Sequence, residues 1–174
     1  MIYTLIAGVN GTGKSSLAGV LKSTVDLGLI VNVDEITKQL GCSPIEAGKV
    51  ALRQIDECLS QRKTFTQETT LSGQKTLTTI KTAKKYGYKI RMYYVGLNSL
   101  EESLERIKNR VRKGGHGIPV EDVTRRYENR FADLKKVLPY CDEVYFYDND
   151  SYEGFKSVDL DLSSGWIQEL REYM

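Results

Sequence analysis

The sequence predicts an α/β fold, a mostly parallel sheet with helices on both faces, and three observations predict it. Short apolar runs alternate with segments of helical periodicity in the order β-α-β-α-β-α-β-α-α-β. The first run leads without a break into a glycine-rich loop and then a helix, the opening of a βαβ unit. The bulk numbers suit one packed domain, 1–174. The chain has 174 residues, of which 28% are charged and 40% apolar, a balance that excludes a disordered chain and a membrane protein.

The elements follow in order. "IYTLIA", 2–7, is a strand. "KSSLAGVLKSTV", 14–25, carries apolar residues at 17, 20, 21 and 25 and reads as a helix. "GLIVNVDE" is an apolar strand ending in Asp34 and Glu35, and "EITKQL" a short helix or turn. In 43–63, Ser43 is an N-cap, Pro44 takes the first helical position, and Glu46 completes a capping box. "TFTQET", 64–69, is a strand with Glu68 near its end, and the helix after it stops at Gly87. "YKIRMYYVG", 88–96, is the fourth strand. Helices at 99–113, capped by Ser99, and at 120–138, ended near Pro139, flank the break "GGHGIP". A strand at 141–150, a weaker strand in "FKSVDLDL" and a short helix in "SSGWIQELREYM" close the chain.

"GVNGTGKS" matches the phosphate-loop pattern G-x-x-x-x-G-K-[ST], and it stands between a strand and a helix. Gly8, Gly11 and Gly13 let the backbone turn its N–H groups inward, and the helix N-terminus adds positive potential. Gly8, Val9, Asn10, Gly11, Thr12, Gly13, Lys14, Ser15 and Ser16 are therefore the candidate nucleotide-binding residues, with ATP as the expected ligand. Lys14 is expected at the β- and γ-phosphates and Ser15 on Mg²⁺.

Such a loop serves kinases, GTPases, motors and transporter ATPases alike. The acids at the strand ends discriminate, because ligands of open α/β sheets bind beyond the carboxyl ends of the strands. A motor or transporter ATPase needs four apolar residues ending in an acid, and "FTQET" is a poor version of that. A kinase needs an acceptor for the hydroxyl proton. Asp34, about 20 residues past Lys14, is the candidate base; the competing reading makes it an acidic cap for "EITKQL". Glu68 either binds substrate hydroxyls or reaches Mg²⁺ through water, or else it caps the turn "TTLSG".

From Arg106 to Arg130, eight basic side chains face three acidic ones, a local +5 in a chain of net +2. The excess falls where a small kinase carries its lid, about 99–138, and lid arginines stabilise charge on a transferring phosphoryl group. Arg126 and Arg130 are four apart and share a helical face, as do Arg106 and Arg110; the competing reading is a solvated face with i,i+4 partners. His116, the sole histidine, either touches phosphate or substrate or organises its loop. The tyrosines Tyr86, Tyr88, Tyr93 and Tyr94 either stack a sugar or base or belong to the core.

"AGVNGTGKSS", "VNVDEI", "RVRKGGHGIPVEDVTRRYENRF" and "YFYDND" together resemble the zeta-toxin-like P-loop kinases, over about residues 4 to 151. The resemblance implies the kinase branch of the P-loop NTPase fold, with a five-stranded parallel sheet core and a helical lid. It implies ATP and Mg²⁺ as cofactors and a hydroxyl of a small acceptor as the target, UDP-N-acetylglucosamine in the better-known toxins. By the same resemblance Asp34 is the catalytic base and Glu68 the acid ending the third strand. Arg110, Arg126 and Arg130 are the lid arginines, and Asn149 sits near the adenine end. Val33 stands where many relatives have proline. An antitoxin protein is a candidate partner.

Two other functions fit parts of the pattern. A polynucleotide or RNA-modifying kinase would use the basic stretch "TAKKYGYK", but a net charge of +2 is too small to argue for nucleic acid. A non-catalytic ATP-binding switch would close its lid without transfer, and the Lys14, Ser15, Asp34 and arginine set speaks against it. Cys42, Cys58 and Cys141 form no metal or disulfide pattern. "MIYTLIAG" carries no basic leader and no stretch approaches a membrane span. A reducing cytoplasmic location is expected.

Overall fold

The computed structural model describes residues 1–115, 117–149, 154–159 and 165–174. Strand β1 (Ile2–Ala7) pairs in parallel with β3 (Phe65–Thr69) on one side and with β4 (Lys89–Gly96) on the other. β2 (Leu29–Val31) continues the parallel sheet beyond β3, and β5 (Glu143–Asp148) continues it beyond β4. β6 (Lys156–Val158) joins β5 antiparallel, so the order is β2-β3-β1-β4-β5-β6. The expected five parallel strands are present, with one antiparallel edge added. The order reverses at β1, and in such sheets a ligand crevice opens beyond the carboxyl ends of the strands at that point.

β1 reads as a near-continuous apolar run because both of its sides are covered: Tyr3, Leu5, Ile6 and Ala7 are fully buried. One face takes α1 (Lys14–Leu21), whose Leu17, Ala18 and Leu21 pack on Ile6, Tyr93 and Val95. The other takes α2 (Val33–Leu40), α3 (Pro44–Ser60) and α4 (Lys75–Lys85), which contribute Ile36, Ala47, Ile55 and Ile80. α5 (Leu100–Arg112) and α6 (Val120–Glu128) follow β4. The buried cluster of Val9, Leu97 and Tyr127 fastens α6 to the phosphate loop. α7 (Arg130–Val137) and α8 (Gly165–Tyr173) return to the larger core through Leu134 and Trp166. Trp166 lies flat on the end of β4, where a Cβ at Gly96 would come within 2.0 Å of its ring.

The helix-start signals hold. Ser43 Oγ accepts from the Glu46 amide while Glu46 Oε2 accepts from the Ser43 amide, a closed capping box. Ser99 Oγ accepts from the Glu102 amide. Gly87, with φ +80°, ends the turn after α4.

Several boundaries differ from expectation, among them those of α1, the second strand and the lid helices. α1 ends at Leu21, before the predicted 25. The second strand ends at Val31, because the Asn32 side chain accepts from the Asp34 and Glu35 amides and starts α2 there. Asp34 and Glu35 thus lie in the first turn of a helix, and the capping role weighed for Asp34 belongs to Asn32. The predicted helix 120–138 is divided at Asn129 into α6 and α7, with a short 3₁₀ turn, Leu138–Tyr140, after it. Tyr88, Tyr93 and Tyr94 are core residues, whereas Tyr86 is exposed. The three cysteines are free thiols. Among the described residues, no helix is long and apolar enough to cross a membrane.

Candidate functional site

A cavity of about 690 Å³ opens beyond the carboxyl ends of β1 and β3. Its floor is the phosphate loop, its near wall the start of α2 and the end of β3, and its roof α5, α6 and the turn between them.

The loop is shaped by left-handed backbone. Gly8 has φ +144°, and a Cβ there would sit 2.3 Å from the Val95 carbonyl oxygen. Gly13 has φ +90°, and a Cβ there would meet Asn149 Nδ2 at 2.6 Å. Thr12 Oγ1 donates to the Val9 carbonyl at 3.1 Å, and the buried Ser103 Oγ of α5 donates to the Asn10 carbonyl at 2.7 Å. Asn149 Nδ2 donates to the Thr12 carbonyl at 2.9 Å. α5 and the residue after β5 therefore brace the loop from outside.

Lys14 Nζ donates to the carbonyls of Gly8 and Val9 at 2.9 and 2.8 Å. Burial pulls its pKa down to about 8; Glu68 and Asp34 oppose the shift, while Arg110 and Arg126 add to it. Ser15 Oγ donates to Glu68 Oε2 at 2.8 Å and lies 3.3 Å from Asn32 Nδ2, which donates to it. Glu68 is thus turned to the phosphate loop. The turn it was weighed to cap is held by Thr69 Oγ1, which accepts from the Leu71 amide at 3.0 Å.

Asp34 faces the lid, its Oδ2 3.4 Å from Arg110 Nη1. Gly115 folds back over Arg110, where a Cβ would lie 2.6 Å from Arg110 Cγ. The glycine turn after α5 thus sets the direction of that arginine. Arg126 Nη1 donates to Asn10 Oδ1 at 3.1 Å, and its buried Nε has no partner among the described residues. Ser16 also lines the cavity.

Arg130 is a correction. Its Nη1 donates to the Tyr127 carbonyl at 2.9 Å, its Nη2 pairs with Glu169 of α8, and its guanidinium lies between the rings of Tyr127 and Phe131, 3.9 and 4.1 Å from their centroids. It does not line the cavity. The division at Asn129 explains this, because the four-residue spacing places Arg126 and Arg130 on one face only if the helix is unbroken. His116 lies outside the described residues.

Among the cavity residues that sequence reasoning did not single out are Arg106, Asn32 and Gln67. Arg106 Nη1 donates to the Gly11 carbonyl at 3.4 Å and Nη2 to the Asn149 carbonyl, while the side chain pairs with Glu102. Its spacing of four from Arg110 was the available signal. Asn32 was announced by the two acids that follow it in a first helical turn. Gln67 had no signal beyond its place beside Glu68.

No family model matches the chain. A Haemophilus influenzae protein described as uncharacterized is 35% identical over 125 residues, which are 69% of this chain and 88% of that protein. Among solved structures, a chain of the PezAT chromosomal toxin-antitoxin system of Streptococcus pneumoniae superposes with a TM-score of 0.68 at 18% identity, covering 98% of this chain and 76% of that one. A putative kinase from Chloroflexus aurantiacus gives 0.63 at 16% identity, covering 99% and 98%. The AvrRxo1-ORF1:AvrRxo1-ORF2 complex with ATP gives 0.64 at 21% identity, with 99% of this chain spanning 62% of that one. These likenesses establish the shared fold.

Proposed function

We propose that the chain, which belongs to the same family as the Haemophilus influenzae protein, is an ATP-dependent kinase that phosphorylates a hydroxyl of a small acceptor. The unit is one P-loop kinase domain, 1–174, with the lid at about 99–138. The finer form of the proposal takes a UDP-sugar as acceptor, UDP-N-acetylglucosamine first. One observation carries the reading: a single cavity gathers Lys14, Ser15 and Glu68 below, Asp34 at the side, and Arg110 and Arg126 above.

The residues fit ATP and Mg²⁺. Lys14 is held by loop carbonyls that a phosphate chain can replace, and Arg126 lines the same cavity. Ser15 Oγ and Glu68 Oε2 offer two hard oxygens at the end of the loop. Among the described residues no group of three or more His, Cys, Asp or Glu gathers to hold a metal; Mg²⁺ suits such a sparse site, since it keeps most ligands as water and phosphate oxygens. When bound there, the ion neutralises charge on the β- and γ-phosphate oxygens.

The chain's own groups do the rest. Lys14 as the ammonium and the inward N–H groups bind the phosphates. Arg110 and Arg126 stabilise charge on the transferring group. Asp34 accepts the proton of the acceptor hydroxyl as the new O–P bond forms and the bond from Pγ to the ADP oxygen breaks. Arg110 keeps the Asp34 carboxylate turned toward the cavity, and closure of the lid excludes water from the reacting groups.

The test incubates the protein with ATP, Mg²⁺ and a metabolite collection that includes UDP-N-acetylglucosamine, and reads by mass spectrometry a gain of one phosphoryl group. An acceptor-dependent product supports the kinase reading. ATP binding with no acceptor phosphorylated overturns it in favour of a switch.

A further inference from the structure

We infer that Gln67 is the hydrogen-bond donor that selects the acceptor, and that the buried Tyr3 hydroxyl is the positioning residue that aims it. This rests on the kinase reading above, because it assigns a role within the acceptor half of the same cavity.

The cavity has two unlike halves. On β3 successive side chains point to opposite faces of the sheet. Glu68 points to the α1 side and holds Ser15. Gln67 points to the other side, where Tyr3 and Phe65 lie in the core with Ile36 of α2 and Ala47 of α3. Beside Gln67, the lining of the cavity also includes the uncharged Val33, Thr37, Pro44, Thr69 and Thr70. Several of these hydroxyls are already engaged. Thr37 Oγ1 donates to the Val33 carbonyl at 2.9 Å, Thr69 Oγ1 is shared with Thr76 and the Leu71 amide, and Thr70 Oγ1 with Ser72.

Gln67 differs. Its Oε1 accepts from the Tyr3 hydroxyl, and among the described residues nothing is placed to accept from its Nε2. Tyr3 is fully buried, stacked on Phe65 with ring centroids 4.4 Å apart. Burial pushes its phenol above the usual range, so it stays protonated. A buried hydroxyl must donate to something, and the Gln67 oxygen is the acceptor at hand. That bond settles which end of the amide turns away from the core. The Nε2 donors then turn toward the cavity that Gln67 lines. The acceptor that fits presents an oxygen, from a hydroxyl or a carbonyl, to these donors while its reacting hydroxyl faces Asp34. A site built to hydrogen-bond such an oxygen rejects analogues that lack it.

Three measurements test the inference. The first is the affinity for fluorescent mant-ATP with Mg²⁺ of Gln67→Leu and Tyr3→Phe, expected within about twofold of the parent; a tenfold loss puts Gln67 in the nucleotide half and overturns the proposal. The second is the side-chain amide NMR signal of Gln67, expected to shift in Tyr3→Phe; an unmoved signal overturns the positioning role. The third is turnover with UDP-N-acetylglucosamine over a concentration series. Gln67→Leu is expected to raise the acceptor KM about tenfold with the ATP KM held, and an unchanged acceptor KM overturns the donor role. If the parent protein leaves UDP-N-acetylglucosamine unmodified, the sugar-nucleotide reading fails. The same KM comparison is then made with whichever metabolite in the collection gains a phosphoryl group, and the first two measurements stand as they are.

Discussion

The phosphate loop and the lid enclose one cavity from two sides, yet they are built by different rules. The loop is shaped mainly by its own residues, with outside braces from Ser103 and Asn149: glycines with positive φ, Thr12 closing on Val9, and Lys14 folding back on Gly8 and Val9. The lid is shaped by what it lands on. Arg126 and Arg130 are four residues apart, and one reaches Asn10 of the loop while the other is held between two rings and tied to α8. A local motif therefore carries its shape with it, whereas a charged helix takes the orientation of its side chains from its partners.

The sharpest blow to the comparison strikes between the two walls. Asp34→Asn is expected to lower acceptor-dependent transfer by about 10²–10⁴ with ATP affinity retained, read by steady-state kinetics beside calorimetric titration; full turnover in this variant would remove Asp34 as base. Next comes the pair of arginines. Arg126→Ala is expected to cost about 10² in kcat with little change in melting temperature. Arg130→Ala is expected to do the reverse. Its side chain is only 10% exposed, so the lost ring contacts and hydrogen bonds cost about 2 kcal/mol, which is roughly 4–8 °C in Tm. Little of that comes from the ion pair, because Glu169 is half exposed. Equal kinetic losses in both variants would erase the distinction between them.

A pH series probes the loop alone. In the proposed kinase Lys14 binds phosphate as the ammonium, and burial pulls its pKa down to about 8 in the free protein. ATP affinity is therefore expected to hold below about pH 8 and to weaken by up to about tenfold per unit above it. Affinity that stays flat to pH 10 contradicts the depressed pKa. The smallest effect is expected at Ser43→Ala, which opens the capping box beside the cavity and costs about 1 kcal/mol, visible in denaturant unfolding with turnover kept.

Much of this was legible in the residues. The glycine-rich turn between β1 and α1, the caps at Ser43 and Ser99 and the stop at Gly87 were read from patterns a few residues long, and the structure keeps them. The extension of the second strand to Glu35 failed because β propensity was followed past Asn32, whose side chain turns the backbone into α2. Arg130 failed because helical periodicity was carried through Asn129, where the helix divides. Arg106 was counted as charge and not as a contact.

The order of strands and helices, the glycine-rich loop and the presence of an acid about 20 residues beyond it come from the chain's local chemistry. Their interactions close over a few residues and survive in almost any packing. Which arginine faces the cavity, that Asn149 braces Thr12 from 137 residues away, and that Tyr3 aims Gln67 from 64 away depend on the packed whole. Those groups meet because β1 sits between β3 and β4 and the lid rests on Val9, and no spacing along the chain encodes such a meeting.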